Sequence, residues 1–447
     1  MTRGTASYQP AAGRPPAGLP GRLPRLLPGG LADGPASLAE HLARYGPPPA
    51  LADGQALIAE VDRAGLSGRG GAGFPTARKL AVVAGRTAPV VVANGAEGEP
   101  ASAKDKVLLA RAPHLVLDGA VAAAGIVGAR QAVVVAHRSV RGIVAAAAAE
   151  RDRAQLDRVR IKVVAAADRF VGGEASAVVH WIERGVPTPT ARPPRLAERG
   201  LAGAPTLVQN VETLAHLALI VRYGAQWFRS LGTPTEPGTM LVTVLGAVRE
   251  PSVLEIALGT PAGQVLALAG GPSAPLQALL VGGYGGSWVR ADEAVDRPFS
   301  AAGLAGLGAG VGAGLVAALP RDACGLRETA RVVRYLAGES AGQCGPCRFG
   351  LVAVAGEVGR LAEGRTGDLR PLRRWLGQVD GRGACRHPDG VVRLVRSALT
   401  VFRPELITPD DWGFPVVSGD AVPGDLLDDA RETVRACPRL ALRLELG

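Results

Sequence analysis

Cysteine, methionine, aromatic residues and lysine are all scarce in this 447-residue chain, and each scarcity excludes something. Five cysteines are too few for a disulfide scaffold. Phe, Trp and Tyr together make up 4%, which argues against a nucleic-acid binder built on exposed stacking rings. Only Lys79, Lys104, Lys106 and Lys162 are lysines among 50 basic residues. The arginines that make up the rest are spread along the chain, so the net charge of +10 reads as a solvated surface rather than a nucleic-acid patch. Residues 1–50 are rich in Pro and Gly and lack the apolar stretch of a secretory signal. The uncharged 20-residue run 301–320 is long enough to span a bilayer but holds six glycines, which favours a buried glycine-rich loop and strand. These absences point to a soluble, cytoplasmic protein that binds no nucleic acid and does not itself span a membrane.

What is present is glycine and proline, 61 and 35 residues, well above the usual share, beside 47% hydrophobic residues that exclude wholesale disorder. The length suggests roughly three domains. Residues 1–54 form a Pro-rich arm with a short helical pattern at 38–45, and 55–63 read as a helix ending in glycine. From 89 to about 221, strand-like runs (90–93, 132–136, 161–165) alternate with helix-like runs, the pattern of α/β layering. Short strands with Gly and Pro turns follow (239–245, 253–256, 279–281), then a helical stretch at 322–402 and a distinct tail.

Two motifs carry chemistry. In the first, Gly68, Gly70 and Gly73 satisfy G-x-G-x-x-G, with Arg69 and Phe74 between and after them and Lys79 beyond. Glycines let backbone N–H groups approach a phosphate, a following helix points its N-terminus at the same anion, and Lys79 adds a point charge. The loop follows a helix rather than the strand a dinucleotide fingerprint requires, so a plain turn stays open as the alternative. In the second, Cys344 and Cys347 form C-x-x-C, a bite suited to a soft metal site, and Cys385 follows in Gly383-Ala384-Cys385-Arg386-His387.

The glycine stretch resembles that of the NADH-oxidising, flavin-carrying subunit of respiratory complex I and of the related diaphorase subunits of NAD-linked hydrogenases and formate dehydrogenases. Three more segments resemble that family in its order: Asn94 to Pro100 with Lys104-Asp105, Phe170 to Ala177, and Pro205 to Thr213. The likeness covers residues 55 to about 400. It implies a multidomain α/β fold with a Rossmann-like FMN and NADH domain at 55–235 plus a return segment at 290–321. It further implies a β-grasp insert at 236–289 and a helical iron–sulfur domain at 322–402. The implied function is hydride transfer from NAD(H) to FMN, then single electrons through an iron–sulfur cluster to a ferredoxin or another redox subunit. Membership of a membrane-associated complex stays open. Glu97 and Glu174 would shape the flavin–nicotinamide pocket. Gly68, Arg69, Gly70, Gly73, Phe74, Lys79, Asn94, Glu99, Gly173, Asn210 and Thr213 would bind cofactor, and Phe74 would stack on adenine. Cys344, Cys347 and Cys385 would hold the cluster.

The sequence departs from the family pattern at Ala96, Ala175 and Gln209, where two carboxylates and an Asn are expected, and at Ala341, where the first cluster cysteine is expected. Three thiolates leave a 4Fe-4S cluster with one open or oxygen-ligated iron, a three-iron cluster, or no cluster. Ordinary roles also stay open: helix ends or plain surface positions for Glu97 and Glu174, capping for Asn210 and Thr213, core packing for Phe74. Cys324 reads as a buried or free thiol and His387 as a solvated or capping histidine. The tail, 403–447, resembles the C-terminal half of a small ferredoxin around Trp412 and Cys437-Pro438 but lacks its earlier cysteines. A redox-impaired relative, kept as a flavin-binding or assembly module, is the rival reading.

Overall fold

The computed structural model describes residues 23–27, 34–50, 53–190, 194–365, 368–402 and 431. The tail features Trp412 and Cys437 lie outside the described residues. The first unit opens with α1 (Leu38–Tyr45), α2 (Gly54–Ala64) and α3 (Thr76–Val83). It continues through β1 (Val90–Gly95), α4 (Lys104–Arg111), α5 (Pro113–Val127), β2 (Gln131–Ala136), α6 (Arg141–Arg153) and β3 (Arg160–Ala165). It closes with α7 (Ala175–Arg184), β4 (Thr206–Asn210) and α8 (Val211–Phe228). Local chemistry sets several of these ends. Ser37 and Glu40 make a reciprocal capping box at α1, and Gly65 ends α2 in the left-handed conformation that a side chain would resist.

The four strands are parallel, in the order β3-β2-β1-β4. Alternate residues of each strand serve two cores, as a sheet covered on both faces requires. Val91, Ala93, Ala132 and Val134 pack with α2, α5 and α8, whereas Val92, Val133 and Val135 meet Val178 and Val179 of α7. The tightest seam is α5 against α8. A Cβ on Gly119 would sit 1.9 Å from the Leu214 carbonyl oxygen, so the two helices approach at a distance only glycine permits.

The second unit comprises β5 (Thr239–Gly246), β6 (Ser252–Ala257), α9 (Ala262–Leu268), β7 (Leu276–Val281), β8 (Ser287–Arg290), α10 (Ala291–Ala294), α11 (Ala301–Ala305) and β9 (Leu315–Pro320). Its sheet runs β6-β5-β9-β7-β8, with β5 and β9 parallel and the other pairs antiparallel. This corrects the expected boundary. The segment 290–321 does not return to the first sheet: β9 is the middle strand of the second, between β5 and β7. The run 301–320 is the short α11, a glycine loop and β9. Among the described residues no single helix is long and apolar enough to cross a membrane.

The third unit is helical: α12 (Gly325–Gly338), a π-helical turn Pro346–Gly350, α13 (Leu351–Ala362), α14 (Arg370–Val379) and α15 (His387–Val401). It packs on β7 and β8, where Trp288 meets Phe402 and donates its backbone N–H to Ser397 at 2.9 Å. Near the N-terminus, residues 23–27 do not hang free as an arm. The backbone N–H groups of Arg25, Leu26 and Leu27 converge on the Glu255 carboxylate of β6, and the Arg25 guanidinium donates to Phe228 and Trp227 carbonyls. The fold is thus a mixed α/β architecture with one parallel and one mixed sheet.

Gly119→Ala is expected to cost about 3 kcal/mol, since its methyl must push α8 away. Urea unfolding of the variant against wild type, read by circular dichroism, checks this.

Candidate functional site

The chain leaves β1 toward β2 and β3 on one side, while β4 lies on the other. Strand order therefore reverses between β1 and β4, and their carboxyl ends open a crevice of the kind where parallel sheets bind ligands. Two asparagines close those strands, and Asn94 is the direct register partner of Asn210. The Asn94 amide donates to the Gly173 carbonyl at 2.9 Å. The Asn210 amide oxygen accepts from the Glu212 N–H at 3.0 Å and so caps α8.

The glycine loop folds over this crevice. Gly68 donates to the Phe74 carbonyl at 2.9 Å and pinches the loop into a narrow turn. Arg69 is buried, and its backbone N–H donates to the Thr213 hydroxyl at 2.8 Å. A Cβ on Gly70 would lie 3.2 Å from Asn210 Cβ, so the loop touches the strand end. Gly71 and Gly73 take positive φ of 99° and 60°. Phe74 is 46% exposed, with the Lys79 ammonium 5.9 Å from its ring centre. That leaves Phe74 out of the core.

Four helices start around the crevice, and three have their N-termini satisfied by side chains. Glu97 accepts from the Asp105 and Lys106 N–H groups at α4, Glu174 from Ser176 and Ala177 at α7, and Asn210 from Glu212 at α8. The fourth, α3, begins after Pro75 with no side-chain cap. Beside it the buried Thr76 hydroxyl and the Gln209 amide nitrogen have no hydrogen-bond partner among the described residues. Burial also lowers the Lys79 pKa, and its ammonium donates to the Val208 carbonyl at 3.4 Å. An open helix N-terminus, a cation and two unpaired buried polar atoms form a cradle for an anionic, hydrogen-bonding group.

Glu97 and Glu174 thus act as helix caps. Glu99 is also committed: it accepts from the Tyr284 N–H at 2.8 Å, across to the second unit, and burial pushes its pKa up to about 7. Beneath the crevice lies a triad that sequence reasoning did not single out. Lys104 is buried and donates to Asp105 at 2.7 Å and to Glu212 at 2.8 Å. Asp105 in turn accepts from the Asn210 amide at 2.7 Å, and Glu212 from the Leu241 N–H of β5 at 2.8 Å. The signal was present: a rare lysine inside one family-like segment and an acid inside another.

Cys344, Cys347 and Cys385 come together at the end of α12. Burial, then the neighbouring Cys344 and Cys385 thiols, push the Cys347 thiol up to about 12, and Cys344 and Cys347 hydrogen-bond to each other. The Gly342 N–H also donates to the Cys347 thiol. Among the described residues, no group of three or more His, Cys, Asp or Glu is placed to hold a metal ion. His387 donates from Nε2 to the Leu336 carbonyl at 2.8 Å and fastens the Cys385 loop to α12. Cys324 caps the far end of α12, with 14 helical residues between it and this group.

The crevice and the thiols share one short segment, the 3-10 turn Phe170–Gly173. Gly173 accepts from Asn94, while Phe170 donates its N–H to Glu339 at 2.8 Å and packs its ring 5.4 Å from His387. Gln343 adds a 2.6 Å bond to the Pro189 carbonyl.

Comparison with known proteins gives a consistent picture. Residues 61–219 match the Nuo51 FMN-binding domain, and residues 327–408 match the iron–sulfur binding region of NADH-ubiquinone oxidoreductase F. The chain is 30% identical over 371 residues to the second F-type NADH-quinone oxidoreductase subunit of Rhizobium meliloti (strain 1021), spanning 78% of this chain and 88% of that one. It is 32% identical over 369 residues to the F-type NADH-quinone oxidoreductase subunit of Streptomyces coelicolor, spanning 78% and 82%. Among solved structures it resembles an NAD+-reducing NiFe hydrogenase in its H2-reduced state, with TM-score 0.73, 32% identity and coverage of 88% of this chain and 69% of that one. The air-oxidised form gives TM-score 0.75 at 31% identity, with coverage of 88% and 68%.

Lys104→Met strands two buried carboxylates and is expected to cost about 3–5 kcal/mol, measured by urea unfolding. Glu99, with its pKa raised, binds a proton more tightly folded than unfolded. Its contribution to stability is full below about pH 4.5 and is lost as pH rises through about 7. Glu99→Gln is therefore expected to gain on wild type as pH rises from 5 to 8, by about 1–3 kcal/mol in parallel unfolding curves.

Proposed function

The chain belongs to the family of F-type NADH-quinone oxidoreductase subunits, and from that membership we propose that it takes hydride from NADH at the crevice between β1 and β4 and passes electrons on through the thiol site of the helical unit. It is an oxidoreductase of the FMN and iron–sulfur type. FMN accepts the two electrons of a hydride and releases them singly, which is what an iron–sulfur cluster can take up.

The residues present fit these groups. The phosphate of FMN suits the open N-terminus of α3, with the loop Gly68–Gly70–Gly73, Lys79 and the Thr76 hydroxyl around it. Asn94, Gly173, Asn210 and the Gln209 amide would hold the polar edge of the ring. Arg69 and Thr213 keep the loop in place, and Phe74 is exposed where a nucleotide base can stack. Glu97, Glu99 and Glu174 fix the walls of the crevice through the helix ends and the Tyr284 turn they bind, so their role is to position. The soft donors Cys344, Cys347 and Cys385 suit an iron–sulfur cluster. We keep the finer architecture as part of this proposal: a Rossmann-like first unit and, from the order β6-β5-β9-β7-β8, a β-grasp second unit extended to residue 320. The electron acceptor is a ferredoxin or another redox subunit, and the cytoplasm is the proposed location.

The observation that carries the proposal is the turn Phe170–Gly173, which accepts from Asn94 on one side and on the other is held by Glu339 and His387, residues flanking the cysteine loops. It supports a short path between the two sites. The matched relatives are oxidoreductase subunits, and none of them supports the redox-impaired alternative.

Lys79→Ala is expected to weaken FMN binding about ten- to a hundredfold by removing a charged phosphate contact. Flavin fluorescence titration of the purified full chain measures this, and NADH added anaerobically should bleach the bound flavin of wild type. Wild-type protein that takes up no FMN would sink the proposal.

A further inference from the structure

An iron–sulfur cluster of four irons is ordinarily held by four cysteine thiolates. Here three converge, and among the described residues several neighbouring donors are already engaged. Cys324 caps α12 and accepts from the Arg327 N–H. His387 Nε2 is spent on Leu336, the Glu339 carboxylate takes the Phe170 N–H and Arg169, and Glu174 takes the N-terminus of α7. The Gln343 amide donates to Pro189.

The loop before Cys344 shows where the unfilled corner lies. The Gly342 N–H bonds the Cys347 thiol, so Ala341 is one residue away from the sulfurs. Gly342 turns at φ 65°, and Gly342, Gln343 and Gly345 are exposed while Ala341 is half-buried. Water therefore reaches the loop that carries Ala341, whereas the Cys347 thiol to which this loop bonds is 3% exposed and packed in the helical core.

We propose that the cluster held by Cys344, Cys347 and Cys385 has one iron without a protein sulfur, at the corner beside Ala341, and that this iron carries water or hydroxide and exchanges with added iron and small thiols. This inference rests on the iron–sulfur half of the function proposed above and goes beyond it by assigning the cluster a labile corner. The chemistry balances. A four-iron core of charge 2+ that gives one electron to ferricyanide and releases one ferrous ion becomes a three-iron core of charge 1+. One electron from dithionite and one ferrous ion rebuild it. A corner bonded to a cysteine resists this loss, because the thiolate holds the iron after oxidation.

The test uses the full chain, reconstituted anaerobically with ferrous iron and sulfide, as wild type, Ala341→Cys and Ser340→Ala. Iron is counted and electron paramagnetic resonance recorded before ferricyanide, after it, and after dithionite with ferrous iron. Wild type and Ser340→Ala are expected to fall from about four to about three irons per chain, show a three-iron signal, and recover. Ala341→Cys is expected to hold about four throughout. As a check that needs no variant, 2-mercaptoethanol should shift the electron paramagnetic resonance signal of the wild-type four-iron cluster after reduction by dithionite. Wild type that keeps all its iron through oxidation overturns the labile corner while leaving the proposed function standing; if Ser340→Ala alone then loses iron, Ser340 holds the corner. Wild type that takes up no iron overturns both the corner and the cluster, and FMN titration still reads the flavin half separately.

Discussion

A buried lysine holds two sheets and a ligand site in one arrangement. Lys104 sits between Asp105 and Glu212 with no access to water, and removing three charges from solvent is favourable only when they are closely paired. The pairing has structural reach. Glu212 binds a backbone group of β5, so the second sheet is anchored to the helix that follows β4. Asp105 binds the Asn210 amide, so the strand end that faces the crevice is locked in orientation. The glycine loop rests on Asn210 and takes Thr213 as partner for Arg69. The loop's shape therefore depends on an ion pair it never touches.

Much of this was legible from residue order alone. Helix α1 runs over residues 38–45 as the helical pattern does, and the first three strands fall on the β-branched and alanine-rich runs, because these are local patterns of burial. The glycine loop and C-x-x-C were legible because few other residue types do those jobs. The place of β9 was not: its partners β5 and β7 lie far back in the chain, and a run of Leu, Val and Ala fits either sheet equally well. Nor was the Lys104 triad, since a charged residue usually means a solvated face and only tertiary packing turns it inward. Glu97 and Glu174 were legible as important, but their partners were not. Both bind helix N-termini, a role set by where α4 and α7 begin in space.

The differences from the family pattern fall unevenly. At the glycine loop the chain has Gly68, Gly70, Gly73 and Lys79, and the N-terminus of α3 has no side-chain cap. Where the ring and nicotinamide would lie, Ala96 and Ala175 remove charge and Gln209 lengthens a side chain. At the thiol group a single methyl stands in place of a sulfur. Binding of the flavin and the electronic properties of the metal centre can therefore have diverged separately, because the residues that serve them belong to different units.

The turn Phe170–Gly173 couples those units mechanically. Its Phe170 end is held by Glu339 and His387, residues flanking the cysteine loops, and its Gly173 end supplies the carbonyl that orients Asn94. The cysteine loops and the asparagine in the crevice therefore share one restraint, and a change that loosens one end of the turn is felt at the other.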